Sequence, residues 1–261
     1  SYSSSMGGDT NNVSGDYSSI VGGRLNETNS DYAIILGGSS NTISLSCTRG
    51  AMLGGTANTI AAGTEGIIAG GTQCLLSGTQ SSIIGGSVNN IGLSSSFNTI
   101  LGGNSNSIYE DCDRNAVLGG TSNKIFALNQ RGAIIAGSTN TLLGAGTSLV
   151  VIGGDTNFAS GTSNSICSSQ TSRTAGSLSD ITASTSSTLT GVNAFILGSV
   201  GSVISGDLTT SIRGGIIGGS NNYISGLNAG VFLGDTNKVF ASRSATIGGT
   251  LITIPSTHQG A

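Results

Sequence analysis

The sequence predicts an all-β fold: a parallel β-solenoid or β-roll of about fifteen coils, assembling as a trimer or filament. Three observations predict it. A phrase of the form Ile-Leu-Gly-Gly-x-x-Asn-x-Ile returns along nearly the whole chain, at Ile35–Ile43, Met52–Ile60, Ile83–Ile91, Ile100–Ile108, Val117–Ile125, Ile134–Leu142 and Ile216–Ile224. Its period of about 17 residues is too short for a helix pair or a propeller blade and suits one coil of stacked strands. The composition argues against helix, because 44 of 261 residues are Gly and only 8% are charged.

Each position of the repeat has a physical reason. Units anchor on a first Gly, or its substitute, at 7, 22, 37, 54, 70, 85, 102, 119, 136, 153, 175, 197, 218, 233 and 248. The residue before this anchor is apolar in every unit except that of Thr174. Paired glycines turn a corner where backbone approaches backbone or φ is positive. Four residues after the anchor stands Asn, at Asn11, Asn26, Asn41, Asn58, Asn89, Asn106, Asn123, Asn140, Asn157, Asn222 and Asn237. Cys74, Ser179, Gly201 and Ile252 break this column. Asn tolerates a left-handed turn, and stacked amides hydrogen-bond from coil to coil, so we expect a structural ladder.

Runs such as Ile34-Ile35-Leu36, Ile83-Ile84 and Val150-Val151-Ile152 are apolar on both faces of a strand. One face fills the narrow interior. The other leaves an apolar stripe larger than monomers expose, to be buried against another copy. The residues expected on this self-association face are Ile35, Ile68, Ile83, Ile100, Val117, Ile134, Val151 and Ile216. The whole chain, 1–261, reads as one repeat domain, with regular coils over about 5–154 and 214–254. Over about 155–213 the anchors are 21 or 22 apart, which reads as coils with longer loops.

Val117-Leu118-Gly119-Gly120-Thr121-Ser122-Asn123-Lys124-Ile125 resembles the Gly-Gly/Asn/Ile repeats of viral and bacterial fibre proteins. More distantly it is similar to the head repeats of trimeric autotransporter adhesins. That likeness, over about residues 5–254, implies a trimeric, left-handed parallel β-roll outside the cell. The adhesin heads favour a shorter Ser-Val-Ala-Ile-Gly coil, and this chain uses Ile-Ile-Gly-Gly with Asn.

No catalytic, cofactor or metal site is expected. The one histidine, His258, sits in the tail beyond Pro255, and a Ser-His-Asp set needs a positioned base. The densest acidic run, Glu110-Asp111-Cys112-Asp113-Arg114, lacks the Gly and distant Glu of a calcium loop. Cys47, Cys74, Cys112 and Cys167 form no CxxC pair, so zinc is not expected. Cys47 and Cys112 lie about four coils, or roughly 19 Å, apart, too far for a disulfide. Asn12-Val13-Ser14 and Asn26-Glu27-Thr28 match the glycosylation sequon. Nine Lys and Arg spread along the chain make no nucleic-acid footprint, and no run of 18 apolar residues spans a membrane.

The expected role is therefore non-enzymatic: a structural fibre or filament subunit on a virion or cell surface, its partner being itself. The start at Ser1 suggests a processed product or fragment, and the uncapped outer repeats suggest assembly through open ends. The alternative is an adhesin shaft touching a glycan or protein receptor through Arg24–Asp31, Tyr109–Asn115, Leu128–Arg131 and Cys167–Arg173. Ice binding needs regular exposed Thr ranks, and a polysaccharide-cleaving β-helix needs clustered carboxylates. Neither pattern occurs here.

Overall fold

The computed structural model describes residues 2–126, 128–144, 147–206 and 213–256. His258 lies outside them. Among the described residues there is no helix, and every strand pairing is parallel. The chain divides into two compact units, Ser1–Ala136 and Gly137–Ala261. Both are β-solenoids, and over the two units the turns number about 16.

In the first unit, each turn contributes one strand to each of two sheets. The first sheet runs through Ser19–Ile20, Ile34–Ile35, Ala51–Met52, Ile67–Ile68, Ser82–Ile84, Thr99–Leu101, Ala116–Leu118 and Ala133–Ile135. The second runs through Glu27–Thr28, Thr42–Ile43, Thr59–Ile60, Leu75–Leu76, Asn90–Ile91, Ser107–Ile108 and Lys124–Ile125. Strands this short hold because each pairs above and below. Thr99, Ile100 and Leu101 lie level with Ala116, Val117 and Leu118. Ile100, Val117 and Ile134 of the first sheet face inwards with Ile91, Ile108 and Ile125 of the second, all fully buried. The core is therefore one aliphatic side chain deep from each sheet. Covering each of those side chains contributes about 1.5–3 kcal/mol.

The second unit repeats this plan. Its first sheet includes Val150–Ile152, Ser165–Cys167, Asp180–Thr182, Phe195–Leu197, Gly215–Ile217, Gly230–Phe232 and Ala245–Ile247. Its second includes Phe158–Ser160, Arg173–Thr174, Thr188–Thr190, Val203–Ser205, Tyr223–Ile224, Lys238–Val239 and Thr253–Ile254.

The register corrects the reading of residues 155–213 as long-looped coils. Val150 pairs with Ser165, Ser165 with Asp180 and Asp180 with Phe195, each step 15 residues. These turns are as short as any in the chain. Counting on glycine misplaced them: the corner glycine is replaced by Ser168 and Ala183, which take the same left-handed φ of 49°. Ala175 and Leu197 are not corner anchors. The single long turn runs from Phe195 to Gly215, and part of its extra chain lies outside the described residues.

Gly103 shows why the second glycine of a pair is needed. Its φ is +83°, and a Cβ there would stand 2.4 Å from the Gly120 oxygen of the next turn and from Asn106 Nδ2. The asparagine amide occupies the space the glycine leaves. Where the glycine becomes Ser, the asparagine becomes Ser too: Ser169 with Ser172, Ser184 with Ser187, Ser199 with Ser202. The smaller hydroxyls then carry the turn-to-turn bonds, as from the Ser184 N–H to Ser169 Oγ at 3.2 Å.

Candidate self-association face

The structure moves the apolar outer stripe by one residue. Ile35, Ile68, Ile83, Ile100, Val117, Ile134, Val151 and Ile216 are fully buried inside their own chain. They form the solenoid core and are not available to a partner. The reason is the corner. The first glycine starts the bend immediately after the strand, so the strand's middle residue faces the opposite sheet and its last residue faces out.

The outward column in the first unit is Met6, Val21, Leu36, Leu53, Ile84, Leu101, Leu118 and Ile135, exposed by between 37% and 64%. Only Ala69 interrupts it with a smaller side chain. The flanking outward residues, such as Ile34, Ala51, Ile67, Ala116 and Ala133, are apolar, and the others are Ser or Thr. No strand residue of this face carries a charge. At a strand spacing of about 4.8 Å, the column extends for roughly 38 Å within this unit. The ion pairs sit elsewhere, at turns: Arg24 with Asp9 (3.4 Å), Arg49 with Glu65 (2.8 Å) and Arg114 with Asp113 (3.5 Å). In the second unit the same column reads Ile152, Cys167, Thr182, Leu197, Ile217, Phe232 and Ile247, and is broken by Cys167 and Thr182.

The asparagine column is a hydrogen-bonded ladder inside a corner. Asn26 Oδ1 accepts from the Asn41 N–H (3.1 Å), Asn41 Oδ1 from the Asn58 N–H (3.1 Å) and Asn58 Oδ1 from the Cys74 N–H (3.0 Å). The same bond joins Asn89 to Asn106, Asn106 to Asn123, Asn140 to Asn157 and Asn222 to Asn237. Asn11 begins the series by accepting from the Asn26 N–H. Each amide also donates to corner carbonyls, as Asn41 does to Gly55 at 3.0 Å. These side chains are consumed by backbone.

A second, shorter ladder escaped the sequence reading. Asn98 Oδ1 accepts from the Asn115 N–H at 2.8 Å, and Asn115 Oδ1 from the Gly132 N–H at 2.6 Å. Asn164 serves the same corner through the Ser179 N–H. The signal was an Asn just before the next turn's first strand.

Other sequence candidates do not converge on a site. Asn26 is buried in the ladder, which closes its sequon in the folded chain, whereas Asn12 is exposed. Cys47, Cys74 and Cys112 are buried free thiols. Burial pushes Cys47 up and drives Cys112 to about 11. Cys167 is partly exposed on the outer column. Among the described residues no three His, Cys, Asp or Glu are grouped to hold a metal ion. Arg24–Asp31 is a corner and strand, and Cys167–Arg173 is a corner. Neither is a projecting loop.

No protein-family model and no curated protein matches the sequence.

Proposed function

We propose that this chain is a non-enzymatic structural module, a self-associating β-solenoid that builds a fibre or filament. The observation that carries this reading is the uncharged aliphatic column from Met6 to Ile135. Covering a half-exposed Leu or Ile contributes about 1 kcal/mol. Eight in line offset much of the roughly 4–15 kcal/mol that association costs. A flat column repeating at strand spacing suits a like column on a second copy. Parallel packing of three copies satisfies it with every subunit equivalent. The likeness to Gly-Gly/Asn/Ile fibre repeats supports the same reading, with the assembly proposed to stand on a virion or cell surface.

Sedimentation of the full chain tests it. The unaltered protein should sediment as an oligomer, and Leu101→Asp with Leu118→Asp should sediment as a folded monomer of 25.6 kDa. A monomer at every concentration before substitution sinks the proposal.

A further inference from the structure

The outer face of the second sheet carries aromatic side chains in three places, and two of them are closed on themselves. Tyr109 and Phe126 stack face to face at 4.5 Å and 8°. Phe158 is capped by the Arg173 guanidinium at 4.8 Å. The third place, in the second unit, is open. Tyr223 and Phe240 lie 5.5 Å apart but are tilted by 44°, so neither ring covers the other.

This open pair walls a groove of about 400 Å³ with Gly201, Val203, Asn221 and Lys238. Strand register builds it. Val203 pairs with Tyr223, and Tyr223 with Lys238, so three successive turns present their side chains abreast. Gly201 makes room at one end: a Cβ there would come within 2.6 Å of Asn221 Oδ1. The volume falls within the range of about 300–1,000 Å³ usual for small-ligand sites, which are apolar with a few convergent polar groups.

The polar groups here are unspent. Among the described residues, the Asn221 amide, the Tyr223 hydroxyl and the Lys238 ammonium have no side-chain hydrogen bond or ion pair. Asp235, three residues before Lys238, instead accepts from Ser220 N–H and Oγ.

We propose that this groove binds an acidic saccharide, with the apolar face of a hexuronate ring against Phe240 and Tyr223 and its carboxylate on Lys238. A pyranose has an apolar C–H face that packs on aromatic rings and a hydroxyl edge that pairs with an amide and a phenol. The unpaired ammonium selects a sugar bearing a carboxylate. This site is on the other sheet from the self-association face and stands whether or not the chain oligomerises.

Calorimetric titration of the full chain with trigalacturonate tests it, with neutral galactotriose and a short oligothymidylate as comparators. Trigalacturonate should bind saturably, and Lys238→Gln should weaken it by about tenfold while leaving galactotriose unchanged. Phe240→Ala, checked for retained strand content by circular dichroism, should weaken both sugars by about tenfold. If Phe240→Ala loses its strand content, Phe240→Leu replaces it. No saturable binding of trigalacturonate up to about 10 mM overturns the proposal. So does indifference to both substitutions. Tighter binding of oligothymidylate through the same residues would overturn it in favour of a nucleic-acid ligand.

Discussion

Asn106 Oδ1 accepts the backbone N–H of Asn123, 17 residues on, at 3.0 Å. The same amide donates to the Gly120 carbonyl at 3.1 Å. One side chain thus ties two consecutive turns at a corner, beside the backbone bond from the Asn104 N–H to the Gly120 carbonyl.

Removing that tie leaves the buried Asn123 N–H unpaired, while the Gly120 carbonyl keeps the Asn104 N–H. Asn106→Ala should destabilise the protein by about 2–4 kcal/mol, because an orphaned buried polar group costs more than a lost exposed bond. Urea unfolding would measure it. Asn104→Ala, on the exposed side of the same turn, should change stability by less than about 0.5 kcal/mol.

The two glycines of one pair should respond differently. A Cβ at Gly102 has only the Ile84 oxygen nearby, at 4.0 Å, and Ala136 occupies the equivalent corner with φ 59°. Gly102→Ala should therefore cost only the left-handed backbone strain, about 1–2 kcal/mol. Gly103→Ala pushes into the next turn's backbone and should cost more than about 3 kcal/mol. Thermal melts of the two variants side by side would show whether the order holds.

Adjacent residues of one strand should separate folding from association. Ile100→Ala empties the core and should cost about 2–5 kcal/mol of stability. Leu101→Ala leaves the core intact and should instead lower the concentration-dependent oligomer fraction seen by sedimentation. Equal effects of both on stability would contradict the assignment of inner and outer residues.

The thiols should report the burial pattern. At neutral pH an aromatic disulfide reagent should label Cys167 in the native protein, and Cys47, Cys74 and Cys112 only after unfolding.

Cys112 also sets a pH dependence. Its folded value is raised by burial from 9.0 to about 11. The folded state therefore holds its proton longer than the unfolded state. The stability contribution is complete below about pH 9 and is lost as pH rises towards 11. Urea midpoints taken across this window should fall less steeply in Cys112→Ala.

Much of the fold was legible because the solenoid repeats its physics every turn. The Gly-Gly pair, the Asn four residues on and the Ile after it each answer a local demand, so Ile100–Ile108 announces its coil without help from the rest of the chain. The reading failed where a different residue met the same demand. Ser168 and Ala183 accept the left-handed corner that glycine takes elsewhere, and counting glycines therefore stretched regular turns into long ones. The groove at Tyr223 and Phe240 was illegible for another reason: its walls come from three turns, and only the register sets them abreast.

The residue pattern alone is enough to say that this chain stacks short parallel strands and that its strands are apolar on two sides. Periodicity is a one-dimensional property, and a repeated demand leaves a repeated residue. That Ile100 fills the core and Leu101 meets solvent follows from the packing of the folded chain. Alternation says that neighbours point opposite ways, but which way is inward depends on where the chain bends and which sheet lies across from it.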